Sequence, residues 1–302
     1  MDEILITVIM PVYNEVRFLP SAINSILHQT EQRFFLFIID DGSTDGSTEY
    51  LKKITSDKIK VYFPGRQGLI KTLNFGLSLV ETPYVAIMDA DDISHPLRLE
   101  RELGLLQTNS DISLVGTSAE YIGDSDDGRS IRVKMPKEDY QIKNGLKKGQ
   151  FVIIHSTIMA RRSLFEKLNG YSEKSFPNPD YDLFLRTASF SKFANITKLY
   201  CKVRFHKESH TFRMFSQIIK NLPESIEHND YKLKQNIITN FFRNFKIQIK
   251  KSSIGIYRKG VLNYVNDRVM VGVLLILLSG IINPLRGLNF LRNKISFNDN
   301  SI

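Results

Sequence analysis

Three carboxylates occupy four positions at Asp89-Ala90-Asp91-Asp92, directly after the apolar run Tyr84-Val85-Ala86-Ile87-Met88 and just before Pro96. Negative charges held that close repel one another. A hard divalent cation with oxygen ligands, Mg²⁺ or Mn²⁺, relieves the repulsion most directly. An apolar run of strand length that delivers carboxylates to a cation at its C-terminal end suits a phosphate-bearing substrate. The alternative is an acidic turn that caps a helix, and a bare Asp-x-Asp does not separate the two. Other polar groups decide by where they fall. Tyr13-Asn14-Glu15 and Asp40-Asp41-Gly42-Ser43 each follow an apolar run, and Asn178-Pro179-Asp180-Tyr181-Asp182 opens a segment of helical period.

The elements that must position these groups can be read from period and punctuation. Ile4 to Met10 is a near-continuous apolar run, the mark of a strand buried on both faces, and Pro11 ends it. Leu19, Ala22, Ile23, Ile26 and Leu27 recur at helical spacing. Phe34 to Ile39 is a second buried strand, followed by a helix through Tyr50, Leu51 and Ile54, a short strand Ile59–Phe63, and a helix from about Ile70 to Val80. Tyr84–Met88 is the fourth strand. Four strand–helix alternations with short connections predict right-handed crossovers and a mainly parallel sheet. Ligands bind beyond the carboxyl ends of such strands, so the three polar clusters converge on one rim. Farther on, we expect a helix from Arg98 to about Gln107 and a strand at Ile112–Gly116. A hairpin tip is expected within Glu120–Arg129, and a short helix from Arg162 to Leu168, ended by Gly170-Tyr171. A helix starts near Pro179, a residue suited to a first turn.

The motifs Pro11-Val12-Tyr13-Asn14-Glu15, Asp40-Asp41-Gly42-Ser43-Thr44-Asp45, Asp89-Ala90-Asp91-Asp92 and Asn178-Pro179-Asp180-Tyr181-Asp182-Leu183 come in this order and spacing. In this the chain closely resembles family 2 glycosyltransferases over roughly residues 5 to 210. The resemblance implies an α/β GT-A fold, a Rossmann-like and mainly parallel central sheet flanked by helices. It also implies a metal-dependent inverting enzyme that uses a nucleotide-diphosphate sugar, UDP-linked by expectation. A nucleotide-sugar half would span about 1–110 and an acceptor half about 111–210.

The resemblance also implies roles. Pro11, Tyr13 and Glu15 would line the nucleotide pocket, with Tyr13 stacked on the base and Asp41 accepting a base N–H. Asp40 would share that work or cap the next helix. Where the family often has Asn-x-Gly, this chain has Arg66-Gln67-Gly68; Arg66 or Lys71 could offset diphosphate charge, or form a helix-capping basic pair. Asn74 reads as structural. Asp91 would contact the metal, Asp89 the metal or ribose, and Ala90 would lie in the same nucleotide-sugar site. Asp92 would stand behind them. Asp180 would be the general base, favoured as an anion by a helix N-terminus, with Asp182 the competing candidate. The family's usual Glu before this Asp is Pro179 here. Arg204-Phe205-His206-Lys207-Glu208-Ser209 resembles the family's Arg-x-His-x-x-Ser segment, and His206 would meet the metal or diphosphate. His155 would shape the acceptor pocket or satisfy a core hydrogen bond.

Charge is unevenly distributed. Residues 1–200 carry 24 Lys and Arg against 26 Asp and Glu, whereas residues 201–302 carry 17 against 6. A near-neutral body argues against nucleic acid at the pocket, and a basic C-terminal third points to an anionic surface. That region, 211–302, is expected to be a helical, basic extension. Its 14-residue apolar run Val269–Ile282 would reach roughly 21 Å as a helix, short of the ~30 Å hydrocarbon core. It suits an interfacial segment, a docked helix or a dimer contact. Cys201 is the single cysteine and suits a reducing compartment. The acidic start Asp2-Glu3 is unlike a signal peptide. The expected setting is therefore cytoplasmic and peripheral on the inner membrane face, with a saccharide or lipid-linked saccharide acceptor from bacterial surface polysaccharide synthesis. Two rivals remain: a non-catalytic nucleotide-sugar or membrane scaffold, and a sugar nucleotidyltransferase. The second would want a Gly-rich phosphate loop, and Pro11 to Phe18 has no glycine.

Overall fold

Strand β1 (Ile6–Val12) is buried at every position except Pro11, as an unbroken apolar run requires. Alternate side chains serve opposite faces of the sheet. Val8 and Met10 join one hydrophobic cluster and Ile9 the other. The computed structural model of the chain describes residues 3–124, 130–175 and 178–206. Helix α1 (Leu19–Leu27) leads to β2 (Phe34–Asp40), which runs parallel to β1 with Ile6 opposite Phe34 and Val12 opposite Asp40. Helix α2 (Ser47–Leu51) precedes β3 (Ile59–Tyr62), parallel to β2. Helix α3 (Leu69–Ser78) precedes β4 (Tyr84–Ile87), parallel to β1 on its other side. The parallel block thus stands where the apolar runs placed it.

Beyond β4 come β5 (Ile93–Ser94), α4 (Arg98–Thr108), β6 (Ile112–Ile122), β7 (Ser130–Val133) and α5 (Asp139–Lys147). They are followed by β8 (Met159–Arg161), α6 (Arg162–Leu168), α7 (Pro179–Ala188) and β9 (Lys192–Arg204). The sheet order is β3-β2-β1-β4-β8-β6-β9-β5, with β7 paired to β6. Strand β8 joins β4 and β6 antiparallel, and β5 joins β9 antiparallel. The result is the mixed, curled α/β sheet of the GT-A architecture. Leu99, Leu103 and Leu106 of α4 pack on one face with Ile23 and Ile26 of α1, and Leu73, Leu164, Leu183 and Phe184 pack on the other.

Several elements depart from the expectation. Strand β6 runs on to Ile122, and α5, β5 and β9 have no counterpart in the sequence pattern. In β9 the polar residues Lys192, Asn195, Lys198 and Lys202 break any simple alternation. Asn195 is buried there, and its amide donates to the carbonyls of Pro136 (2.7 Å) and Val152 (2.9 Å). A buried amide nitrogen that donates to distant backbone leaves no periodic trace in the sequence.

Two compact units separate. Among the described residues, the first takes in those of 3–120, 132–147 and 151–204, and the second those of 121–131, 148–150 and 205–206. In the second, the Tyr121 and Phe205 rings meet edge-on at 4.9 Å, and the Phe205 N–H donates to the Ile122 carbonyl at 2.9 Å. The apolar run 269–282 and the rest of 211–302 lie outside the described residues. Among the described residues no helix is long and apolar enough to cross a membrane.

Helix α4 carries a charged pair into the core. Arg98 and Glu102, one turn apart, are both fully buried, with the guanidinium Nε 3.3 Å from each carboxylate oxygen. Burial pushes the Glu102 carboxyl up to about 7, against the lowering effect of Arg98. A carboxyl with a raised folded pKa stabilises fully below its unfolded value, and that contribution is lost as pH rises through about 7. Between pH 4 and 8 the wild-type chain should lose about 3 kcal/mol relative to Glu102→Gln. Urea unfolding across that range measures it, and parallel pH profiles for the two proteins would contradict it.

Candidate active site

At the C-terminal end of β4, Asp89, Asp91 and Asp92 each place a carboxylate oxygen within 4.8 Å of the others. Glu15, in the loop after β1, brings one of its oxygens equally near Asp91. Asp92 is only 1% exposed. Burial first, then the charges of Asp91 and Asp89, hold its carboxyl well above the usual range, although Ser156 and the Arg204 N–H bond to it. The Arg204 N–H donates to Oδ1 at 2.8 Å, while the buried Oδ2 accepts nothing among the described residues. Arg204 also donates from Nε to the Asp91 carbonyl at 2.9 Å. An all-oxygen donor set with an orphaned buried oxygen fits a hard divalent cation.

The loops after β1 and β2 are tied together. Asn14, at φ 58°, accepts the Thr44 N–H at 2.7 Å through Oδ1 and donates its own N–H to the Ser43 hydroxyl at 3.0 Å. The Glu15 N–H donates to Ser47 (3.1 Å) and the Val16 N–H to Asp45 (2.9 Å). Much of the Asp40–Asp45 motif therefore serves as a clamp between loops. Asp40 braces the same clamp, accepting the Ser43 N–H at 3.0 Å and the Thr48 hydroxyl.

Asp41 faces the other way. Its buried carboxylate accepts the N–H groups of Gln67 (2.7 Å) and Gly68 (2.9 Å) and pairs with the Arg66 guanidinium. The same guanidinium lies 3.7 Å above the Tyr13 ring. Gly42, at φ 72°, makes this approach possible, because a Cβ there would stand 3.0 Å from the Arg66 nitrogen. Tyr13, Asp41 and Arg66 are thus one assembly at the rim. Pro11 lies opposite Ile39 of β2, Ala90 is buried in the acidic loop, and Lys71 is exposed with its ammonium 3.9 Å from Glu173. An exposed pair at that distance contributes little.

Asp180 sits in the first turn of α7, after Asn178 and Pro179, and its Oδ1 accepts the Tyr181 N–H at 2.8 Å. Asp182 is bound to Arg186 at 2.8 Å, and Arg186 also holds the carbonyls of Leu168 (2.9 Å) and Gly170 (3.0 Å). Asp182 therefore belongs to a clamp on the preceding loop. Asn74 completes that clamp, exchanging two 2.8 Å hydrogen bonds with the backbone of Tyr171. Gly170, at φ 68°, is required here, since a Cβ would collide with the Asn74 oxygen.

Tyr171 has a larger part than the helix stop its sequence position suggests. Its buried hydroxyl lies 2.8 Å from His155 Nε2. Burial, then the charges of Asp180 and Asp89, hold its pKa well above the usual value. His155 is engaged by Tyr171, and His206 is a buried member of the second unit. Arg98 has contacts here that no motif announces. The one available signal is that Arg98 and Glu102 share the stripe of Leu99, Leu103 and Leu106 on α4.

Comparisons with known proteins bear on this geometry. The sequence model of "Glycosyl transferase family 2" matches residues 7–169. EpsE of Bacillus subtilis, which carries a glycosyltransferase designation, is 32% identical over 226 residues, covering 72% of this chain and 78% of EpsE. Among solved structures, S. aureus TarS 1-349 in complex with UDP-GlcNAc superimposes with a TM-score of 0.58 at 16% identity, over 94% of this chain and 88% of that one. The mannosyltransferase PcManGT from Pyrobaculum calidifontis, in complex with GDP-Man and Mn2+, gives 0.53 at 14% identity, over 98% and 81%. At those identities the structural likeness shows the fold.

Proposed function

This chain belongs to glycosyl transferase family 2, and on that premise we propose that it moves a sugar from a UDP-linked donor to a hydroxyl of a saccharide acceptor, with inversion. The observation that carries the reading is the carboxylate cluster at the end of β4, where Asp89, Asp91 and Asp92 each bring an oxygen within 4.8 Å of the others. Asp180 stands apart from that cluster in sequence, in the first turn of α7.

In this reading Asp91 and Asp89 hold Mn²⁺ or Mg²⁺, with Asp92 behind them. Such a cation, when bound, stabilises negative charge on a leaving diphosphate. Asp180 takes the proton of the acceptor hydroxyl as its oxygen bonds to the anomeric carbon and the bond from that carbon to the diphosphate oxygen breaks. The family match ends at residue 169, so the role of Asp180 rests on the geometry and the motif.

Pro11, Tyr13, Glu15, Asp41 and Ala90 line the nucleotide side, within a nucleotide-sugar half of about residues 1–110. An acceptor half spans about 111–210. Arg66 now covers the Tyr13 face on which a base would stack. It must swing aside, or the base must take the opposite face. A swung Arg66, with Lys71, would bring positive charge toward the diphosphate. UDP is the preferred donor nucleotide because TarS, of the same fold, was crystallised with UDP-GlcNAc. The basic C-terminal third, with its apolar run, supports peripheral contact with an anionic membrane and a lipid-linked acceptor.

A donor panel tests the reading. With Mn²⁺ present, UDP-sugars and GDP-mannose are compared for nucleotide release, with and without anionic vesicles carrying lipid-linked saccharides. Release from a UDP-sugar that rises with the vesicles is the expected result. Release from none of the donors would sink the catalytic reading, and failure of the chain to sediment with the vesicles would sink the membrane contact.

A further inference from the structure

The strongest unexplained feature of the first unit is a fully buried arginine directly behind the acidic loop. Arg98 follows that loop at the start of α4 and is 0% exposed. From Nη2 it donates to the carbonyl of Ile87 at 2.8 Å, two residues before Asp89, and to the carbonyl of Ile158 at 3.3 Å. Nη1 lies 3.3 Å from the Met88 sulfur, and Nε faces both oxygens of Glu102 at 3.3 Å. One planar fork therefore grips the end of β4, its flanking residue and the segment entering β8.

Stability alone does not account for this arrangement. A buried ion pair gains little over apolar residues of similar volume, because desolvating two charges offsets their attraction. The carboxyl of Glu102 is itself raised to about 7 by its burial, so the pair is a weak one. Leu99, Leu103 and Leu106 already anchor the same helix face by hydrophobic contact. What apolar side chains at 98 and 102 could not do is hold two carbonyls in fixed directions.

We infer that Arg98 is a positioning residue for the acidic loop: by fixing the Ile87 carbonyl at the end of β4 it sets the direction from which Asp89 and Asp91 leave the sheet. The consequence for a bound cation rests on the metal reading above; the hold on the loop does not.

The test replaces both buried partners, Arg98→Met with Glu102→Met, so that no charge is orphaned and packing is kept. A merely structural pair predicts a folded protein with an unchanged loop. A positioning role predicts a thermal midpoint at or above that of wild type, with amide hydrogen exchange of residues 86–93 about tenfold faster, the effect of losing a charged hydrogen bond. The Met88 amide, which donates to the Ile9 carbonyl at 3.0 Å, reports this directly. Free Mn²⁺ measured by electron paramagnetic resonance should show affinity weakened by a similar factor. Unchanged exchange in the folded double variant overturns the inference, whatever the metal result. Should the double variant not fold, Arg98→Lys carries the same test, since an ammonium lacks the fork. A wild-type chain that binds no Mn²⁺ refutes the metal reading instead, and the exchange comparison still judges Arg98.

Discussion

Asp180→Asn is expected to lower sugar transfer about a thousandfold while leaving UDP affinity within about twofold of wild type. The magnitude follows from removing a general base positioned on the attacking hydroxyl, which contributes roughly 10² to 10⁴ in rate. Asparagine keeps the size of the side chain and an oxygen able to accept the Tyr181 N–H that Asp180 now receives at 2.8 Å, so the first turn of α7 should stand. Asp182→Asn provides the internal comparison. Asp182 is tied to Arg186, whose guanidinium also holds the Leu168 and Gly170 carbonyls. Its loss should act mainly on stability, by roughly 1 kcal/mol or less for a partly exposed pair. The measurements are single-turnover transfer rates and UDP titrations on both variants. A larger rate loss for Asp182→Asn than for Asp180→Asn would reverse the assignment of the base.

The second large effect is expected at Asp91. Asp91→Ala should reduce transfer by about a thousandfold, the scale of losing several kcal/mol of transition-state charge stabilisation. It should also abolish detectable Mn²⁺ binding. The contrast is Asp92→Asn. With Asp92 buried and its carboxyl raised by burial and by its two acidic neighbours, the neutral amide removes a charge that the site disfavours while keeping the side chain's size. Asp92→Asn should therefore fold as wild type does and lose less activity than Asp91→Ala. Paired rate and Mn²⁺ titrations decide it, and wild-type activity in Asp91→Ala would remove the cluster from the chemistry.

The parts of this fold that are legible in the sequence are those in which one local property dominates. Strands β1, β2 and β4 are buried on both faces, so their sequences are nearly pure apolar runs, and the polar clusters that follow must lie at their carboxyl ends. Strand β9 offers no such signal. The Asn195 amide nitrogen donates to carbonyls tens of residues away, and Asn195 reads as a surface residue until Pro136 and Val152 are seen beside it. Arg98 and Glu102 mislead in the same way, as charges on a helix are ordinarily solvated.

The candidate site divides along the same line. The sequence by itself determined the residue types and their order: carboxylates after β2 and β4, a tyrosine after β1, and an aspartate in the first turn of a later helix. Those follow from strand and helix period, which are local. Only the tertiary structure decided which of them are available. Asp40 and Asp182 are consumed by clamps, Asp41 is paired with an arginine that lies on Tyr13, Tyr171 comes under the charges of Asp89 and Asp180, and Arg98 grips the strand that launches the acidic loop. The physical reason is that hydrogen bonds and charges act through space over a few ångströms. Partners so close in space stand more than a hundred positions apart along this chain, as Arg204 and Asp92 do.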